Sequence, residues 1–135
     1  HLDVHKHLHR RPAILEGVMR VARAADLPVR SIDPQMRETL RARGVATNDH
    51  FLGDAGTEAY WTVERLESAL ASLPRAGVVE LMCHPGYRPE TLASGYSRQR
   101  EVELSTFLSP AARRALEACG ATVGSFGVLK RGKVC

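Results

Sequence analysis

Aromatic side chains are scarce in this chain of 135 residues, which holds one tryptophan, three tyrosines and three phenylalanines. A surface that binds nucleic acid wants stacking aromatics set within a concentrated basic face. Here the arginines are spread along the chain, and only Lys130, Arg131 and Lys133 cluster, so the formal charge of +4 implies no nucleic-acid partner. No apolar run approaches the roughly 20 residues that cross a bilayer, so no membrane span is expected. Cysteine is sparse too. Cys83, Cys119 and Cys135 lie far apart without a CxxC pair, which excludes a disulfide framework and a thiolate zinc site and fits a reducing cytoplasm. There is no internal repeat and no low-complexity segment. The length allows one domain at most, with a hydrophobic fraction of 44% that is ordinary for a globular fold.

Histidine, by contrast, is concentrated. The opening HLDVHKHLH carries four of the six histidines and an aspartate at alternating positions. A period of two is that of a β-strand, so His1, Asp3 and His5 are expected on one face and Leu2 and Val4 on the other. Desolvated polar side chains in a row need hydrogen bonds or a metal, and imidazole with carboxylate is a natural donor set for a divalent ion. A histidine-rich tag is disfavoured by the interleaved Leu2, Val4 and Leu8. The chain opens on a histidine inside this motif, which suggests a fragment whose partner residues lie upstream. His7 and His9 continue the alternation where the strand should end, and solvated loop positions are expected for them. His1 stays ambiguous.

Further along, helical and extended patterns alternate. Pro12 to Ala25 reads as an amphipathic helix with Ile14, Leu15, Val18, Val21, Ala22 and Ala25 on one stripe. Pro28 to Ile32 reads as a short strand, and Asp33 as the cap of a helix from Pro34 to Arg43 that ends at Gly44. Val45 to Leu52 is a second strand, followed by a turn around Gly53 and Gly56. Thr57 and Glu58 are expected to open a helix that Pro74 closes.

Gly77 to Cys83 is the clearest inner strand. Val79, Leu81 and Cys83 point one way, and Val78, Glu80, Met82 and His84 the other, so that His84 emerges at the carboxyl end. The loop from Pro85 to Ser97, rich in Gly, Pro, Ser and Tyr, suits a substrate cover. Helices are expected over Arg98 to Leu108 and Pro110 to Cys119, then a last strand from Ala121 to Phe126. The alternation implies an α/β fold with mainly parallel strands and functional residues at carboxyl ends.

HLDVHKHLHRRP, then ELMCHPGY, with SGYSRQREVEL behind it, resembles the carboxyl-terminal half of the YdjC-like carbohydrate deacetylases. Members of that family include chitooligosaccharide deacetylases and hopanoid-biosynthesis-associated proteins. The resemblance covers nearly the whole chain, and the order and spacing of the two motifs carry it. It implies a distorted (β/α) barrel, of which residues 1–135 are a single partial domain, and removal of acetyl groups from N-acetylated amino sugars with Mg²⁺ or Zn²⁺. Position by position, it implies that His5 is a metal ligand and that Asp3 supports one. His84 is implied to protonate the leaving amine, and Arg100 and Glu103 to position substrate or brace the covering loop. The family's DDFG-type aspartate pair and a further metal histidine have no counterpart in these residues.

Other interpretations stand beside each residue. His5 could be a histidine hydrogen-bonded in a polar core, His84 a loop anchor, and Arg100 a structural ion-pair residue. Asp49 and His50 lie near a strand end, yet Asn48 and Asp49 are equally ordinary turn residues. Glu80 is expected to hydrogen-bond internally, and Tyr87 and Tyr96 could stack on a sugar. A different divalent-metal hydrolase, such as a phosphoesterase, or a fragment without turnover would use the same motifs. Half a barrel leaves an open strand edge and exposed apolar helix faces, which predicts a homodimer or a poorly stable isolated segment.

Overall fold

The computed structural model describes residues 1–53, 60–88, 91 and 97–131. It is a mixed α/β structure: α1 (Pro12–Ala25), α2 (Pro34–Ala42), β1 (His50–Leu52), α3 (Val63–Ala71), β2 (Val79–Leu81), α4 (Ser97–Leu108), α5 (Pro110–Ala118) and α6 (Val128–Arg131). Two compact units divide the chain, one of His1–Phe51, Ala76–Glu80 and Gly124–Cys135, the other of Leu52–Arg75 and Leu81–Val123.

In the first unit α1 begins at Pro12, whose fixed φ suits the first turn, and ends where Asp26 turns left-handed at φ 49°. Leu15, Met19 and Ala22 are buried from it, and Val29, Met36, Leu40 and Val45 complete the core. The buried stripe is thus centred on Met19, which the expected stripe omitted. Val21 and Ala25 lie on its flank and are exposed. Asp33 caps α2, its carboxylate accepting the Met36 amide at 2.8 Å.

The extended segments are shorter than their hydrophobic runs. The opening strand is reduced to Leu2, which bridges Val29 in parallel, its amide donating to the Pro28 carbonyl at 2.8 Å. Two short 3₁₀ turns joined at a kink over His5–Arg10 replace the rest, with Lys6 and His7 at φ 55° and 53°. Those left-handed residues end the alternation at His5 and swing His9 inward, where it is wholly buried. The solvated positions expected for His7 and His9 are therefore corrected: His9 is core and His7 is half-buried.

Before β1, the Asn48 side chain adds bonds to the backbone beside it. Its buried amide oxygen accepts the Ser31 N–H at 2.8 Å, and its amide nitrogen donates to the carbonyls of Ser31 and His50, both at 2.9 Å. β1 and β2 pair in a two-stranded sheet. The Asp49 and His50 amides donate to the Val78 carbonyl and the Met82 amide to that of Leu52, so the register advances the same way along both strands, which run parallel.

The second unit packs Trp61, Leu66, Leu70 and Ala112 together, with Leu81, Cys83 and Phe107 against them. Its first helix begins at Val63, capped by the Thr62 hydroxyl. That is later than expected; Thr57 and Glu58 lie outside the described residues, as do Gly56 and Tyr96. The expected last strand is absent: residues 121–125 are exposed coil, and i to i+3 bonds from Val128 to Ser125 and from Leu129 to Phe126 lead into α6.

Candidate functional site

Asp3 and His5 belong to the first unit, and His84, Arg100 and Glu103 to the second. Around Asp3, the backbone stays extended through Val4, leaving His1, Asp3 and His5 exposed and Leu2 and Val4 half-buried, in the alternation the motif implies. The Asp3 carboxylate is engaged by Arg30, whose Nη1 lies 2.8 Å away. Arg30 also grips Glu80 from β2 through Nε and Nη2, both at 2.5 Å, and its guanidinium sits 5.6 Å from the centre of the Phe51 ring. One cation thus joins two carboxylates from distant parts of the sequence. Burial pushes the Glu80 carboxyl up from its ordinary value, against the pull of Arg30.

Behind this group His7 meets the Phe51 ring edge-on at 5.5 Å and the His9 ring at 6.0 Å. Burial lowers the basicity of both imidazoles. Neither ring nitrogen of His9 has a hydrogen-bond partner among the described residues. His1 stacks face to face on Phe126 at 3.9 Å. Asp49 proves structural. Burial raises its carboxyl, but the Val78 amide and the Arg41 guanidinium outweigh that and hold it below the usual range.

In the second unit His84 follows β2 and its side chain is exposed, while its backbone N–H donates to Oε2 of Glu103. Oε1 of Glu103 accepts the Trp61 N–H at 3.2 Å, and the Trp61 indole N–H donates to the Met82 carbonyl at 2.8 Å. Glu103 itself is buried on α4. Arg100, one turn earlier, is exposed, and its carbonyl accepts the Gly86 N–H at 3.1 Å. Tyr87 is 84% exposed and free to meet a ligand. Burial, with the Glu103 charge beside it, pushes the Cys83 thiol up, so it is no ready thiolate.

Among the described residues no three His, Cys, Asp or Glu side chains gather to hold a metal ion. The exposed imidazole of His5 suits one position of a divalent-metal shell, whereas Asp3 is committed to Arg30. The described residues alone do not make a complete metal site. Arg30 and Trp61 escaped sequence reasoning, although each left a signal. Arg30 follows Val29 on the opposite parity of a short extended segment, and Trp61 is the chain's sole tryptophan.

A family model described as YdjC-like protein matches residues 1–118. The chain belongs to the YdjC-like family. Among YdjC-like relatives, a carbohydrate deacetylase of Vibrio parahaemolyticus is 33% identical over 136 aligned residues, covering 96% of this chain and 50% of its own length. A chitooligosaccharide deacetylase of Serratia marcescens is 34% identical, with 93% of this chain and 51% of the relative covered. The chain therefore spans about half the length of the curated relatives it matches. The crystal structure of a candidate cellobiose-phosphate cleavage protein from Enterococcus faecalis V583 superposes with a TM-score of 0.79 at 25% identity, over 96% of this chain and 52% of that one. No helix among the described residues is long and apolar enough to cross a membrane.

Proposed function

We propose that this YdjC-like segment works as the carboxyl-terminal half of a cytoplasmic, metal-dependent hydrolase, a distorted (β/α) barrel that removes acetyl groups from N-acetylated amino sugars or their oligomers. The observation that carries this reading is that relatives aligned over nearly the whole chain are named carbohydrate deacetylase and chitooligosaccharide deacetylase. His5 would hold one position on Mg²⁺ or Zn²⁺, the remaining ligands coming from outside the described residues. A bound divalent ion lowers the pKa of a water and polarises an acetyl carbonyl.

The chain's own residues then divide the work. Amide hydrolysis ends with hydroxide joined to the acyl carbon, the C–N bond broken and a proton on the nitrogen. The amine leaves poorly until that proton arrives, and His84, exposed beyond the carboxyl end of β2, is suited to donate it. Asp3, held by Arg30, steadies the segment that carries His5. Arg100 presents an exposed guanidinium to sugar hydroxyls.

Acetate release from N,N′-diacetylchitobiose by an extended protein carrying the upstream half, with and without added Mg²⁺ or Zn²⁺, tests this. Metal-stimulated release is expected, abolished by His5→Ala and slowed about 10² to 10⁴-fold by His84→Asn. No acetate from the unaltered protein would sink the acetylated-sugar assignment. The structural neighbour described for cellobiose-phosphate cleavage favours a second reading, a phosphorylated disaccharide as substrate. Release of phosphate or free glucose from such a sugar, without acetate chemistry, would select it.

A further inference from the structure

We infer that Glu103 is a positioning residue that acts through His84, by tying the His84 backbone to the loop that precedes α3. This rests on the proposal that His84 protonates the leaving amine. Glu103, Thr106 and Trp61 are all nearly solvent-free, at 3%, 4% and 4% exposure. Each oxygen of the Glu103 carboxylate is taken by a different backbone amide, Oε1 by Trp61 and Oε2 by His84. Glu103 lies 42 residues from Trp61 and 19 from His84 in sequence, so its carboxylate joins two separate segments.

Two further bonds close the circuit. The Thr106 hydroxyl, one turn along α4, donates to the Trp61 carbonyl at 3.0 Å, and the Trp61 indole donates to Met82, two residues before His84. Trp61 is thereby held at its amide, its carbonyl and its ring. Bonds from backbone N–H groups to a buried carboxylate are charge-assisted and stronger than neutral ones.

The His84 ring is exposed while the backbone beneath it is clamped. Pro85 adds to the constraint, because a residue before proline is confined to extended conformations. With the backbone fixed, the imidazole searches only its own side-chain torsions, which lowers the cost of holding it in line with a departing nitrogen. Loss of the clamp should therefore lower the rate of the proton-transfer step more than substrate affinity.

The test uses the extended protein. In the unaltered protein the His84 amide should exchange its hydrogen roughly 100-fold or more slowly than an unstructured chain, despite the exposed side chain. Glu103→Gln turns an amide NH₂ toward one of the two donors, so exchange at His84 or Trp61 should speed up. In acetate release, Glu103→Gln should lower kcat about tenfold or more with KM changed less than about twofold. In a His84→Asn background it should add little, because an absent acid cannot be misplaced. Thr106→Val, which loosens Trp61 without touching the carboxylate, should give a smaller loss of the same kind and serves if Glu103→Gln does not fold. Rapid exchange at His84 in the unaltered protein, or losses that simply add in the double variant, would overturn the inference. A protected His84 amide without any acetate release would sink the deacetylase proposal and leave the clamp standing.

Discussion

His9 sits wholly buried at the end of the 3₁₀ turns, and burial holds its imidazole below the ordinary value of 6.5. The folded protein therefore resists a proton that the unfolded chain accepts near 6.5. Stability from this residue is complete above that pH and is lost as pH falls through the window beneath it. His7 shifts in the same direction for the same first cause. Glu80 works oppositely: burial raises its carboxyl above 4.5, so its contribution is present below that value and fades as pH rises through the raised folded value. We expect the thermal midpoint to fall as pH drops below about 6.5, and His9→Phe to flatten that fall. Scanning calorimetry across the range checks it; an unchanged slope in the variant would place the effect elsewhere. At this scale the sequence was legible for Asp3 and His5, whose exposure follows simple alternation, and misleading for His9, because nothing local announces the left-handed pair at Lys6 and His7. Lysine and histidine adopt that conformation at a cost that packing must offset.

The helices kept their expected ends where a neighbour within one turn sets them. Pro12 starts α1, Asp33 caps α2, and Ser109 caps α5 before Pro110. Strands fared worse because a strand exists only where a partner lies beside it. Ala121 to Phe126 has strand-like composition and no strand, and Val45 to Leu52 shrinks to β1, with the Asn48 side chain bonding the Ser31 backbone beside it. Where β1 and β2 do meet, the approach is close. Gly53, just past β1, has φ +146°, and a Cβ there would lie 2.9 Å from Cβ of Met82. Gly53→Ala should therefore destabilise the protein by about 1–3 kcal/mol, from backbone strain and the clash together. Urea unfolding reads this directly, and a loss within a few tenths of a kcal/mol would show that Met82 yields.

For the whole molecule, the described residues form one two-stranded sheet, and Val21, Leu108 and Val123 are exposed apolar side chains. Relatives are about twice as long as this chain. The 135-residue segment by itself should self-associate or unfold at low denaturant, whereas the extended protein should be monodisperse and cooperative. Light scattering with urea titration of both forms tests this; a monomeric, cooperatively stable segment would refute it. Metal-stimulated acetate release is likewise expected of the extended form alone.

The sequence by itself determined the family, the starts of α1, α2 and α5 and the exposed face of the opening motif, because each depends on residue order within a few positions. Only the tertiary structure decided that His9 is core, that one arginine joins Asp3 to Glu80, and that Glu103 clamps His84 to Trp61. Those contacts join residues tens of positions apart, with Arg30 and Glu80 separated by 50. Hydrogen bonds and ion pairs act over a few ångströms in space, whatever the distance along the chain, so partners become visible only when folding has brought them together.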